Sequence, residues 1–215
     1  MAASTGTYVG INCKCEGFTQ QDALQIDLAA GRAKQFATAT QQKLGSWGPD
    51  VIAALKHHFK IDTSKARGIG TVYQDNWIQY IASVYRKMVS DFIGGMTYIL
   101  GGDWNPMTWP GACSGNPAFT VRVNPKAIHL NRSFVQSGSS GNMWSWALLH
   151  EQAHFASRNS PGGFNSIADY AYFDDTKKYL RLSTDQALHN ADSFTNFAKE
   201  LLDPGFDWDR ETAGY

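Results

Sequence analysis

Long apolar runs are missing from this sequence, and so is any excess of charge of one sign. No stretch approaches the roughly 18 consecutive apolar residues of a membrane-spanning helix, so we expect no membrane insertion. Nineteen basic residues are balanced by nineteen acidic ones, which argues against the basic surface of a nucleic-acid-binding protein. The first residues, MAASTGTYVGINCKC, lack the basic and apolar regions of a Sec signal peptide.

Cysteine is also scarce. Only Cys13, Cys15 and Cys113 are present, and this odd number leaves at least one thiol without an intramolecular disulfide. The sequence does not show whether the other two are paired. One Cys-x-Cys pair lacks the second pair of ligands found in structural zinc sites, so we do not expect a cysteine-bound metal.

The remaining composition is that of a folded domain. The 215 residues, 43% of them hydrophobic, are enough for one domain with its own core. Residues 1–95 are predicted to form a helical N-terminal lobe. Thr19 is expected to cap a first helix, Pro49 to lie in the first turn of a second, and Asp75 to cap a third.

Residues 96–215 have a different pattern. The runs MTYIL, AFTVRVN and AIHLN are short and β-rich, and Gly, Pro and Asn separate them, which predicts a small sheet. The segment MWSWALLHEQAHFAS is long and apolar enough for a central helix, and Thr184 is expected to cap a final one, DQALHNADSFTNFAKELL. We therefore predict a single α+β domain, mainly α, with an active-site cleft between its two parts.

The central helix carries a histidine pair with a neighbouring glutamate. His150 and His154 are four residues apart, and on a helix such residues share one face. Glu151 is one of only four glutamates in the chain. With this composition, His-Glu-x-x-His occurs by chance in only about three such sequences per thousand. An accidental match in a buried helix is therefore the weaker interpretation.

This spacing suits a hydrolytic zinc site. His150 and His154 can bind one ion, and Glu151 is rotated about 100° from His150, so that its carboxylate flanks the metal without ligating it. Zinc held by three protein ligands keeps a position for water, whose pKa falls to about 7. Glu151 is then the general base that takes the water proton and passes it to the leaving amine.

A third ligand must come from downstream. Ser157 and Ser160 stand where a metzincin has glycine and histidine, which excludes that class. Two glutamates follow the motif, Glu200 and Glu211, and neither lies in a supporting pattern. The residues alone do not choose among the more numerous aspartates. These are Asp169, Asp174, Asp175, Asp185 and Asp192.

Two downstream segments resemble those of a known family. SIADYAYF, residues 166–173, resembles the Gly-Thr-x-Asp-x-x-Tyr-Gly motif of the aspzincin metallopeptidases, which include deuterolysin and the peptidyl-Lys metalloendopeptidases. NADSFTNFA, residues 190–198, is similar to the family's Asn-Ala-Asp-Ser-Tyr-Glu-Tyr-Phe-Ala segment. With the histidine motif upstream, the three signatures follow the family's order. Ser166, Ile167 and Phe173 depart from the motif, so the chain resembles a divergent member.

This resemblance implies a zincin-like fold and a complete site. Asp169 would join His150 and His154 as the third ligand of one Zn²⁺ ion. Glu151 would be the general base, and the Tyr172 hydroxyl would stabilise the developing oxyanion. The resemblance further implies a secreted protein. Because the chain shows no Sec signal, this implies a mature domain or export by another route.

The second segment bears on specificity. In lysine-specific members of the family, acidic side chains there recognise a basic residue just after the scissile bond. Asp192 is retained, whereas Thr195 stands where those members have glutamate. Asp192 and Thr195 are therefore the predicted substrate-binding residues, with a preference for basic residues that is not strict.

The predicted function is that of a monomeric, zinc-dependent endopeptidase acting on proteins or peptides. An alternative of another class is a non-catalytic, zincin-like binding module in which the altered SIADYAYF segment no longer completes the site. A narrower alternative is a toxin or effector peptidase with a single protein substrate.

Overall fold

The structure, a computed structural model, describes residues 5–63, 71–100, 118–120, 127–130, 141–157 and 167–213. The helices in these ranges are α1 (Gln20–Ser46), α2 (Pro49–Phe59), α3 (Thr71–Ile93), α4 (Gly141–Ser157), α5 (Thr176–Leu180), α6 (Thr184–Leu188), α7 (Ala191–Leu202) and α8 (Trp208–Glu211). The strands are β1 (Gly6–Val9), β2 (Cys13–Phe18), β3 (Met96–Leu100), β4 (Ala118–Thr120) and β5 (Ala127–Leu130). The predicted class, α+β and mainly α, is confirmed. None of these helices is both long and apolar enough to cross a membrane.

The strands form one mixed sheet in the order β1-β2-β3-β5-β4. The two inner pairs, β2 with β3 and β3 with β5, are parallel, whereas the two outer pairs are antiparallel. The predicted strands MTYIL and AIHLN correspond to β3 and β5 and are confirmed. The predicted strand AFTVRVN begins as β4, and its last four residues lie outside the described ranges.

The prediction of an entirely helical N-terminal part is wrong, because β1 and β2 precede the first helix. Cys13 and Cys15 point into the core, while Lys14 and Glu16 pair on the other face. This alternation has the period of two that a strand requires. Its signal is present in the sequence but spans only residues 13–16, because Phe18 is buried out of phase, after Gly17 with a φ of 85°. Through the pairing of β2 with β3, the N-terminal residues join the sheet of the C-terminal part.

The N-terminal helices and the motif helix share one hydrophobic core. Helix α1 is capped as predicted, with the Thr19 hydroxyl accepting from the Asp22 amide at 3.2 Å. Its buried face is rich in alanine, including Ala30 and Ala33, and small side chains allow neighbouring helices to approach closely. Helix α1 packs against both α3 and α4. The two predicted parts are therefore not separate lobes.

Helix α4, which carries the histidine motif, is the predicted central helix. It is surrounded by α1, α3 and α7, as expected for a helix that is apolar on all sides. Its buried polar residues include Glu151 and His154 of the motif, and also Ser145, Gln152 and Ser157. Its buried apolar residues are Trp144, Leu148, Leu149, Ala153, Phe155 and Ala156.

The predicted final helix, DQALHNADSFTNFAKELL, is wrong as one element, because it is split into α6 and α7. Ser183, rather than Thr184, caps α6, in a capping box with Gln186. His189 and Asn190 separate the two helices, and Asn190 has an extended backbone with φ −114° and ψ 120°. This break turns the Asn190 side chain towards the segment that precedes α5.

Candidate metal centre

Three side-chain atoms predicted to bind metal converge on one point. The Nε2 atoms of His150 and His154 are 3.2 Å apart, and Asp169 Oδ1 lies 3.1 Å from each of them. The three atoms thus form a nearly equilateral triangle. These three residues would hold a metal ion, and a zinc ion bound by three protein ligands would supply a Lewis acid to a further, non-protein ligand. The donor set and spacing fit a zinc ion.

Hydrogen bonds to the second ring nitrogen fix the orientation of both histidines. His154 Nδ1 donates to the carbonyl oxygen of Ile167 at 2.9 Å. Because a carbonyl oxygen only accepts, His154 Nδ1 carries a proton, and Nε2 is the ring nitrogen that faces Asp169. His150 Nδ1 donates to Asp192 Oδ1, also at 2.9 Å. Such partners hold ligand rings in the tautomer that binds metal.

The electrostatics of the three groups are matched to a cation. Burial disfavours the charged form of His150, but its hydrogen bonds to Asp169 and Asp192 outweigh this effect and raise the pKa of His150 well above its usual value. Burial also disfavours ionised Asp169, but hydrogen bonds from His150 and His154 hold the pKa of Asp169 well below its usual range. Asp169 is therefore ionised at neutral pH, as a metal-binding carboxylate must be.

A cavity of about 670 Å³ opens beside this triangle. Helix α4 contributes Met143 and Trp146 to its wall, and Glu151 lies next to His150 with only 7% of its surface exposed. The remaining wall comes from α7, residues 172–176 and Glu211. The described lining contains no residue of the N-terminal part. The predicted cleft between residues 1–95 and 96–215 therefore stays a prediction.

Tyr172, the predicted oxyanion-stabilising residue, lies beside His150. Its ring is stacked on that of His150, with centroids 5.8 Å apart and an interplanar angle of 16°. Its side chain lines the same cavity as Glu151. The five predicted catalytic and metal-binding residues are thus brought together around one site.

Asp192 and Thr195, the predicted specificity residues, also line the cavity. Asp192 accepts two hydrogen bonds, one from His150 and one from the Phe173 amide at 2.6 Å. The Thr195 hydroxyl donates to the Ala191 carbonyl at 3.3 Å. The role of both residues in substrate specificity stays a prediction.

Sequence reasoning missed Asn190, which is fully buried at the start of α7. Its Oδ1 accepts from the amides of Tyr170 and Ala171 at 2.8 and 3.1 Å. Its Nδ2 donates to the Ala171 carbonyl and the Ser193 hydroxyl at 3.0 and 3.2 Å. The available signal was an asparagine inside a predicted helix, where this residue type is disfavoured.

The other acidic candidates for the third ligand have different roles. Glu200 is held by His57 and His58 at 2.8 and 2.7 Å, and His58 is fully buried. Asp175 caps α5, and 88% of the Asp185 side chain is exposed. Among the described residues, His150, His154 and Asp169 are the only group of three or more metal-ligating side chains whose ligand atoms all lie within 4.8 Å of one another.

The sequence was compared with models of known protein families and with curated proteins. No family model matches it, and no curated protein matches it significantly. The function is therefore inferred from the side chains of this site and their geometry.

Proposed function

We propose that the protein is a zinc-dependent endopeptidase with a zincin-like fold, a divergent relative of the aspzincins. One observation carries the proposal: His150, His154 and Asp169 present three donor atoms within 3.2 Å of one another, and His150 lines a cavity together with Glu151. Two histidines and a carboxylate are ligands that zinc accepts. A glutamate beside them is the additional group that hydrolysis requires.

A zinc ion held by these residues supplies a Lewis acid and lowers the pKa of water to about 7. Glu151 accepts the proton of the water that attacks the peptide carbonyl, and then delivers it to the leaving amine. The burial of Glu151 limits its contact with bulk solvent and strengthens its interactions. Tyr172, stacked on His150, offers its hydroxyl to the oxygen on which negative charge develops.

The cavity indicates how a substrate side chain is accommodated. Met143 and Trp146 form an apolar wall on α4, and Asp192 and Thr195 face them from α7. This combination suits a side chain with an apolar stem and a hydrogen-bonding or cationic end. A protein or peptide substrate with a basic residue after the scissile bond therefore fits the site.

The deciding experiment measures metal content and cleavage in parallel. Zinc and iron would be quantified in the purified protein, because a site of two histidines and a carboxylate also suits ferrous iron. Proteolysis of an unstructured protein would then be compared for wild type, Glu151→Gln and Glu16→Gln. Glu16, in an exposed ion pair with Lys14 on the sheet, provides the matched control.

We expect one zinc ion per chain in all three proteins. Activity should fall by about 10²- to 10⁴-fold in Glu151→Gln only, the usual contribution of a general base. Protein that binds no zinc would rule out the proposal. Zinc binding without cleavage by any of the three would favour the non-catalytic binding module. If the protein cleaved one particular folded protein but not the unstructured substrate, this result would favour the effector peptidase.

A further inference from the structure

Asp192 connects two parts of the proposed metal centre. Its Oδ1 accepts from His150 Nδ1 at 2.9 Å, and its Oδ2 accepts from the Phe173 amide at 2.6 Å. The first bond fixes the ring of one metal ligand. The second fixes the backbone next to Tyr172. One carboxylate thus bridges helix α4 and the segment that carries the third ligand.

The backbone around Asp169 is held from the same helix end. On one side, the Ala168 amide donates to the His189 carbonyl at 2.8 Å, and the Ala168 carbonyl accepts from the Ala191 amide at 3.0 Å. On the other side, Tyr170 and Ala171 are bonded to the Asn190 side chain. Asp169 therefore lies between two anchored stretches of backbone.

These contacts explain why the helix is broken at Asn190. In a continuous helix, the His189 carbonyl and the Ala191 amide would take part in helical hydrogen bonds. The break frees both groups to pair with Ala168 and directs the Asn190 side chain into the neighbouring backbone. A fully buried asparagine that makes four hydrogen bonds is an expensive feature unless all of its partners are in place.

We infer that Asn190 and Asp192 are positioning residues of the metal centre. Asp192 sets the ring of His150, and the two residues together hold the backbone that carries Asp169 and Tyr172. This inference rests on the metal site of the proposed function, but not on peptidase activity. It also gives Asp192 a role distinct from contact with the substrate.

The test is the affinity of the protein for zinc, measured by competition with a chromophoric chelator. Wild type would be compared with Asp192→Ala, Asp192→Asn and Asn190→Ala. Asp185→Ala is the control for the aspartate, because Asp185 is exposed and its carboxylate lies 3.7 Å from a histidine that is not one of the proposed ligands, His189. Asn12→Ala is the control for the asparagine, since Asn12 makes its side-chain bonds to Asp27 next to the sheet.

We expect zinc affinity to fall about 10- to 100-fold in Asp192→Ala, the usual effect of removing the partner of a ligating histidine. Asp192→Asn should lose about tenfold, the lower end of this range, because its amide oxygen can still accept from His150 while its nitrogen faces another donor. Asn190→Ala should lose affinity as well. Both controls should stay within about twofold of wild type.

Folding of each variant would be verified by circular dichroism and thermal unfolding. A folded Asp192→Ala with wild-type affinity would overturn the inference. If that variant does not fold, Asp192→Asn decides, and wild-type affinity there would also overturn it. Wild-type protein without affinity for zinc would refute both proposals. Zinc binding without peptidase activity would refute only the proposed function.

Discussion

Asp169 Oδ1 lies 3.1 Å from the Nε2 atom of His154, although the two residues belong to different segments of the chain. His154 lies on the buried helix α4, whereas Asp169 lies in a segment fastened to the start of α7. Helix α4 alone supplies only two of the three donor atoms. The proposed metal centre therefore depends on correct packing between α4 and α7.

Asp169→Ala should greatly weaken metal binding. The carboxylate contacts both histidine donors, so its removal leaves an incomplete site. Zinc affinity should fall by at least about a hundredfold, since the loss of even an indirect contact often costs about 10- to 100-fold. Metal content after dialysis against a weak chelator measures the effect. Asp174 is an exposed aspartate on the cavity wall, and the control variant Asp174→Ala should keep its zinc. If both variants lost zinc equally, another residue would have to be assigned as the third ligand.

Tyr172→Phe should reduce turnover without loss of metal. The phenylalanine ring can keep the stack on His150, but it has no hydroxyl for the developing oxyanion. The value of kcat should fall by about 10²- to 10³-fold, the typical effect of removing one such donor. Steady-state kinetics and zinc content would be measured on the same samples. An unchanged kcat would show that Tyr172 contributes only packing.

The sequence predicted those features that local patterns determine. The i, i+4 spacing of His150 and His154 fixes their shared face in any helix, and β3 and β5 follow from short β-rich runs. The break at Asn190 was not predictable in this way. Residues on both sides of it favour a helix, and only bonds to the distant segment at Ala168 and Ala171 justify the interruption.

The burial of His58 illustrates the same limit. Two adjacent histidines on an amphipathic helix do not reveal which neighbours will cover them. In the fold, Glu200 and Tyr179 bond to His58 at 2.7 and 2.8 Å, and Trp208 packs across its ring at 5.1 Å. These partners come from α5, α7 and α8, so tertiary packing, rather than local sequence, determines the environment of His58.

The contacts among His57, His58 and Glu200 should make the fold sensitive to acid. Burial lowers the pKa of His58, an effect that outweighs the opposing influence of Glu200. Burial opposes ionisation of Glu200, but hydrogen bonds from His57 and His58 prevail and lower its pKa to about 2 from 4.5. Both pKa values are depressed in the folded state. Their contribution to stability is therefore complete above the unfolded pKa values and is lost as the pH falls below about 6.5 and then below about 4.5.

Urea unfolding of wild type and Glu200→Gln between pH 8 and 3 would measure this effect. The lowered pKa of Glu200 contributes at most about 3 kcal/mol to the free energy of unfolding. Glu200→Gln should be less stable at pH 7 and should lose less stability on acidification. Glu16→Gln, with its partly exposed ion pair, should follow wild type. Parallel pH profiles for wild type and Glu200→Gln would show that Glu200 does not contribute to acid sensitivity.

Thr195→Glu should increase the preference for a basic residue after the scissile bond. Thr195 lies one helical turn after Asp192, and both side chains line the cavity between α4 and α7. A second carboxylate there would add a charge-assisted hydrogen bond to a lysine or arginine side chain. The ratio of kcat/KM for peptides with lysine and with leucine at this position should rise on the order of tenfold, equivalent to about 1.4 kcal/mol. Thr195→Gln, with the same shape but no charge, separates the effect of charge from that of size. An equal ratio in the two variants would place this substrate side chain outside the cavity.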